Sequence, residues 1–527
     1  MESQETKAGT AEASLSPGSG GQEWGTPAPG PALRLYNTLS GQVERLAPAD
    51  GRALRMYACG PTVYDYGHIG NFRTFLQVDV LRRTLRLLGI EVRHVMNITD
   101  VDDKIIRNAT KAGVEIGEYT RKFEEAFFED LQALDVERPE VIARATEHIA
   151  TMVSLIERLA EQDIAYRADD GSWYFRIARF PEYGKLSKKD FAGITDGARI
   201  DVDEYEKDSA RDFALWKAPK PGEHKWDTAL GPGRPGWHIE CSAMAMEYLG
   251  DSFDLHAGGE DLMFPHHENE IAQSESASHQ PFARHWFHVR FLLVEGKKMA
   301  KSEGNFYTLR DLLLRGYKAS AIRMLLISVP YRQQLNFTFE GLAAETVAVE
   351  RLRNFRDRVT KTQWPKRNAG NGTHSEVQDY AQETRAKFLA GLADDLNTAE
   401  ARAAIFEMVR FVNAKADAGL FFADDVPAVL AVLREFDRVF SVIEDHDAKW
   451  TAFTLEWAEK VGRLGEASPE VLATRGVTDA DIEALIAERT QAKKTRNFAR
   501  ADAIRNELAA KGILLEDSKD GVRWKRK

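Results

Sequence analysis

The chain has 527 residues, more than one hydrophobic core organises, so several domains are expected. Apolar residues make up 43% of it, as in ordinary globular proteins, and there is no run of 18 uncharged apolar residues to form a membrane-spanning helix. Its net charge of −11 argues against indiscriminate nucleic-acid binding and leaves room only for a local basic surface. Residues 1–32, rich in Gly, Ser, Pro and Ala, lack both the basic start and the apolar stretch of a secretory signal. They read as a disordered extension, and a cytoplasmic location is expected. The two cysteines are Cys59 and Cys241. A cytosolic setting argues against a disulfide, and without a CxxC pair no zinc ribbon forms.

Leu54 to Ala58 reads as a short apolar strand that meets Cys59 and a turn built on Gly60 and Pro61. His68-Ile69-Gly70-Asn71 follows, and then Phe72, Phe75, Leu76, Val80, Leu81, Leu85 and Leu88 recur at helical spacing until Gly89. A strand that turns through glycine into a helix N-terminus presents free N–H groups and the positive end of a helix dipole to a phosphate. A strand from Glu91 to Met96 precedes the acidic run Asp100, Asp102 and Asp103, read as a helix cap in preference to a metal site. This βαβ order predicts parallel strands with a right-handed crossover. Helical runs are expected over 115–135 and 139–162. A hairpin is expected around Gly171 to Arg176, and a charged stretch closes the region at Trp226.

The stretch CGPTVYDYGHIGNFR resembles the class I aminoacyl-tRNA synthetases, whose signature is HIGH, and within them the cysteinyl-tRNA synthetase family. NITDVDDKI is similar to the same family. In the second dense patch, Trp237 to Glu240 leads into a helix carrying Cys241, and Phe253 to His256 reads as a strand. Ala257 to Asp261 reads as a Gly-rich turn, and Pro265 opens a helix on which His266 and Glu270 share a face at i, i+4. That pair alone is compatible with a surface hydrogen bond as well as with metal ligation. Together with the two thiols it supplies S, S, N and O donors, a plausible tetrahedral zinc set, and all four positions match the family's zinc ligands.

Farther on, Lys298-Met299-Ala300-Lys301-Ser302 resembles the family's KMSKS loop, whose ammonium groups neutralise departing pyrophosphate. Helical periodicity runs over 343–361, 376–392, 398–416 and 427–444, interrupted by the loop Pro365 to Ser375. From Glu488 to Lys527 there are twelve Lys/Arg against six Asp/Glu. Arg489, Lys493, Lys494, Arg496, Arg500 and Trp524 in this tail suit phosphate contact and stacking on an unpaired base.

The resemblance covers the chain from about residue 33 onward. It implies an α/β fold: a Rossmann-type parallel-sheet catalytic domain (33–108 and 226–297) split by an insertion (109–225). The KMSKS-like loop and a stem-contact region (298–345) follow, then a helical bundle (346–465) and a small basic anticodon-binding domain (470–527). It implies cysteine activation by ATP with Mg²⁺, transfer to tRNA(Cys) and one Zn²⁺ per chain; a monomer with no membrane partner is expected. Catalysis falls to His68, Asn71, Lys298, Lys301 and Ser302. ATP contacts fall to His68, Gly70, Asn71, Gly258, Gly259, Asp261 and Lys301, and the amino-acid pocket to Thr62, Trp237 and His256. Asn71 in place of histidine and Ala300 in place of serine depart from the family's motifs. An alternative is a ligase with the same catalytic half and a glucosaminyl-inositol acceptor, which would lack an extended C-terminus.

Overall fold

The computed structural model describes residues 30–189, 212–220, 222–368, 374–475, 479–518 and 521–526. The extension expected over 1–32 therefore lies almost wholly outside the described residues. Strand β1 (Leu54–Ala58) feeds helix α1 (Ile69–Leu87), which returns to β2 (Val92–Ile98). Helices α2 (Asp103–Ala112) and α3 (Ile116–Ala133) lead to β3 (Val141–Arg144) and then α4 (Ile149–Glu161). After an intervening segment come α5 (Trp237–Leu249), β4 (Phe253–Gly259), α6 (Glu268–Ser278) and β5 (Ala283–Val289). The strands lie in the order β5-β4-β1-β2-β3, every neighbouring pair parallel. The chain order reverses between β1 and β4, and the crevice beyond the carboxyl ends of those strands is where such sheets bind ligands.

Strand β3 corrects the expectation of one helical run over 139–162. Val141 to Arg144 pair with Val95 to Ile98, and the helix begins only at Ile149. A short β-branched stretch has no periodicity of its own to set it apart from a helix, and pairing with β2 decides it. The acidic run behaves as a cap: Asp102 precedes α2 and its carboxylate accepts the Ile105 N–H at 2.6 Å.

The intervening segment contributes an antiparallel five-stranded sheet that includes Trp173–Phe175 and Phe213–Lys217. Its buried Phe175 and Trp216 share one apolar core with Tyr57, Cys59, Cys241 and Trp286. The thiols therefore sit where the insertion packs on the parallel sheet, a low-dielectric place that penalises any unpaired charge.

The second half is helical, with α7 (Leu309–Leu314), α8 (Ala319–Leu326), α9 (Phe339–Lys361), α10 (Glu376–Ala393), α11 (Thr398–Asp417), α12 (Val426–Phe440) and α13 (Asp447–Lys460). A small unit follows: α14 (Asp479–Lys494), α15 (Phe498–Ala510) and the hairpin Ile513–Ser518 with Gly521–Arg526, closed on Ile482, Ile486, Ile504, Leu508 and Ile513.

One buried ion-pair group joins the halves. Asp79 of α1 accepts from Arg83 at 2.8 Å and from Arg323 of α8 at 2.7 Å. Arg323 also donates to the carbonyls of Leu134 and Phe440, the last residue of α12. Burial alone would raise the Asp79 pKa, but the two guanidinium groups hold it below the usual carboxylate range. Removing one partner leaves a desolvated charge, so Arg323→Met is expected to cost about 3–5 kcal/mol. Denaturant unfolding followed by tryptophan fluorescence checks this.

Candidate active site and the buried thiol, histidine and carboxylate cluster

The site begins where β1 ends. Gly60 turns the chain against β2, and a β-carbon there would lie 1.7 Å from the Asn97 carbonyl oxygen, so only glycine fits. His68 caps α1: its Nδ1 accepts the Asn71 N–H at 3.1 Å, while Asn71 Oδ1 accepts the His68 N–H at 3.2 Å. This reciprocal box explains the departure from HIGH, because asparagine at the third helical position satisfies an orphan backbone donor. Burial, reinforced by the nearby Lys301 ammonium, lowers the His68 pKa to about 4. The ring is neutral at pH 7, and with Nδ1 accepting, its proton resides on Nε2, free to donate to a ligand. Gly70 has no side chain to block this ring or Met299, both of which lie within 3.2 Å of where a β-carbon would stand.

Four elements converge at the carboxyl end of β1. Cys59 follows β1, Cys241 lies in the second turn of α5, His266 precedes α6 and Glu270 is in its first turn. The expected helix from Pro265 is only partly regular: Phe264 is extended and α6 proper begins at Glu268. His266 Nε2 still reaches Glu270 Oε1 at 2.9 Å. The two sulfurs are 3.9 Å apart and Cys59 Sγ is 3.7 Å from Glu270 Oε1. All four side chains are buried, and their donor atoms lie within 4.8 Å of one another. Two soft sulfurs, an imidazole nitrogen and a carboxylate oxygen at that spacing are compatible with a metal site.

The electrostatics support a cluster that holds charge. Burial would raise the pKa of Glu270, yet His256 and His266 keep it far below the usual range. Burial likewise pushes the Cys59 thiol up, whereas for Cys241 the hydrogen bond from Cys59 and the neighbouring His266 outweigh burial and bring it down to about 6.

His256 comes from β4, fully buried, with Nε2 2.7 Å from Glu270 Oε2 and its ring stacked on Trp286. Trp237 is partly exposed and lies over His266, with ring centroids 4.3 Å apart. Thr62 is half-buried and bridges to Thr99. A histidine that sequence reasoning missed, His267, also enters the cluster, 3.4 Å from Cys59 Sγ. The doubled His266-His267 was the available signal.

Gly258 and Gly259 belong to β4 and not to a turn, since they pair with His288 and Val289 of β5. A β-carbon on Gly258 would press 2.7 Å from His267 Cε1, and one on Gly259 would lie 2.3 Å from Asp261 Oδ1. Asp261 itself is exposed at the strand's end.

The lysine loop arrives from the other side. Glu295 and Gly296, both with positive φ, make the two-residue turn of a hairpin in which Val294 pairs with Lys297. The loop then returns past the first motif, where the Ile69 N–H donates to the Tyr307 carbonyl at 3.0 Å. Lys298, Lys301 and Ser302 are exposed. Lys301 Nζ is 2.8 Å from Asp65 and lies over the Phe306 ring, whose other neighbour is His68. The structure therefore brings His68 and Lys301 to one mouth, on either side of Phe306.

A model of the "tRNA synthetases class I (C) catalytic domain" matches residues 45–347. The cysteine–tRNA ligase of Koribacter versatilis is 58% identical over 94% of this chain and 100% of its own length. The chain belongs to the cysteine–tRNA ligase family. A relative in that family from Leptospira interrogans is 44% identical over 94% of this chain and 99% of its own. A methionyl-tRNA synthetase of Mycobacterium tuberculosis, solved with methionyl-adenylate, shares the fold at a TM-score of 0.54 and 16% identity, over 81% of this chain and 95% of that one. A DALR domain model matches residues 387–444, and a cysteinyl-tRNA ligase anticodon binding domain model matches 475–524. The glucosaminyl-inositol alternative finds no support in this set.

Within that last region of the cysteine–tRNA ligase fold, the expected tRNA contacts divide. Arg489 is buried and donates both terminal nitrogens to Asp517 at 2.8 Å, and Lys493 joins the same carboxylate at 3.0 Å. Arg500 pairs with Glu488 at 2.7 Å. The Trp524 N–H donates to Glu483 at 2.6 Å while its ring packs on the small core. Lys494 and Arg496 are exposed. Beside them Phe498 is 61% exposed, an aromatic surface that helix periodicity alone did not mark. Asn71→Ala removes one half of the cap on α1 and is expected to cost about 1 kcal/mol, measured by urea denaturation.

Proposed function

We propose that this chain, acting as a monomer in the cytoplasm, activates L-cysteine with ATP and Mg²⁺ and transfers it to tRNA(Cys). The observation that carries the reading is the convergence of both thiols with His266 and Glu270 at the carboxyl end of β1, the strand that leads on to the capped helix α1. In the first step the cysteine carboxylate attacks the α-phosphate and pyrophosphate leaves. In the second, the 2′-hydroxyl of the tRNA's terminal adenosine takes the aminoacyl group and AMP departs. His68 offers its Nε2–H, the α1 N-terminus its N–H groups, and Lys301 its ammonium to the phosphate charge. Lys301 rests on Asp65 and exchanges that carboxylate for the triphosphate as the loop closes. Lys298 and Ser302 lie on the same loop, and Gly258, Gly259 and Asp261 take the adenosine side.

Serine differs from cysteine by one atom, and an apolar pocket rejects such a near-isostere by only about a hundredfold. Zn²⁺ held by Cys59, Cys241, His266 and Glu270 would supply a soft coordination position that accepts a thiolate and matches a hydroxyl poorly. Around it His256 orients Glu270, and Trp237 and Thr62 wall the amino-acid pocket.

The test is ATP–pyrophosphate exchange with metal-replete protein. Exchange with cysteine and none with serine is expected. Equal exchange with both overturns the selector, and no exchange with cysteine overturns the activity. Lys301→Met should lower the exchange rate about 10²–10³-fold, as expected for loss of a charge that stabilises the transition state. For the tail, the exposed Phe498 beside Lys494 and Arg496 is the better stacking platform than Trp524. Phe498→Ala is expected to weaken tRNA binding by roughly 1–3 kcal/mol in a filter-binding titration.

A further inference from the structure

The four-residue set does not exhaust the donors around Glu270. His256 and His267 both direct Nε2 into the same volume, and Cys59, His256, His267 and Glu270 also place their donor atoms within 4.8 Å of one another. In a tetrahedral zinc site, sulfur and nitrogen or oxygen ligands stand about 3.5 Å apart. Cys59 Sγ lies 3.4 Å from His267 Nε2 and 3.7 Å from Glu270 Oε1, and His267 Nε2 lies 4.0 Å from that oxygen. His256 Nε2 is 2.7 Å from the other oxygen, closer than the 2.9 Å at which His266 meets Glu270 in the first set.

His267 also carries the outer support that metal-ligating histidines have. Its Nδ1 is 2.8 Å from His288 Nε2, and His288 Nδ1 is 2.8 Å from Thr38 Oγ1. This chain aims the ring so that Nε2 faces Cys59. Gly258 makes the ring's position possible, since any side chain there would strike it. A ring held from behind, in a pocket closed to water, is organised for a ligand in front of it.

We propose that the cluster contains a second, overlapping metal-binding set, Cys59–His256–His267–Glu270, that holds a soft divalent cation when the first set is broken. The sets share Cys59 and Glu270, so one ion occupies one of them at a time. The second offers one thiolate and two imidazoles where the first offers two thiolates and one. The inference rests on the zinc reading of the first set.

The test measures metal content and Co²⁺ absorption of the full-length chain, with folding checked by circular dichroism. Cys241→Ser and His266→Gln each break only the first set. Both are expected to retain close to one Co²⁺ per chain, with affinity about 10–100-fold weaker. The sulfur-to-cobalt band of Cys241→Ser should fall to about half that of the unmodified chain. Adding His267→Gln to either variant should abolish retention, whereas His267→Gln alone keeps the ion through the first set. Folded Cys241→Ser and His266→Gln proteins without metal would overturn the proposal. If Cys241→Ser does not fold, His266→Gln decides. An unmodified chain that binds no stoichiometric metal overturns the zinc reading itself, which separates the two failures.

Discussion

Glu270 is a carboxylate with no access to water, and an isolated charge in that position would cost far more than a domain's net stability. Its surroundings answer this need. His256 and His266 each hold one oxygen, and the thiols of Cys59 and Cys241 complete a pocket rich in donors. The insertion's sheet closes over it with Trp216 and Phe175 in the same core. A site of this kind is rigid because every member is required by the others, and it favours a ligand that compensates charge without water.

The same logic of compensated burial extends along α1. At its N-terminus His68 and Asn71 satisfy each other's backbone donors, and the neutral imidazole keeps a free N–H at the mouth. Nearer its C-terminus Asp79 is held between Arg83 and Arg323, which reaches on to the end of α12. One helix therefore fixes the His68–Asn71 cap relative to the helical bundle. The lysine loop is different: its charges are exposed and its resting contact is a surface ion pair, worth little and easily exchanged. A rigid cap and an exchangeable surface pair thus meet on either side of the Phe306 ring.

Much of the site was legible because its residue types are chemically restrictive and sit in motifs that resemble one family. The chain's two cysteines could be grouped with His266 and Glu270 because all four match that family's positions. The capping reading of Asp102 was legible too, since a cap is a local interaction. The strand Val141–Arg144 was not, because its conformation depends on pairing with β2. Nor was the extension of β4 through Gly259, which pairing with β5 decides. In the tail the charge excess was visible, but its allocation was not: Arg489 is a buried partner of Asp517, while Phe498 faces out.

The thiols, imidazole and carboxylate of the cluster and the two motifs at the mouth could be singled out from residue identity together with the resemblance to one family, and helical periodicity alone marked the second half. Tertiary packing settled which of the nearby histidines, His256, His266, His267 and His288, face Glu270 or Cys59 directly. It brought His267 into the cluster through His288 and Thr38, and it matched Arg489 to Asp517. Those outcomes depend on groups far apart in the chain meeting in a buried volume, where each desolvated atom must find a partner and the packing selects which one.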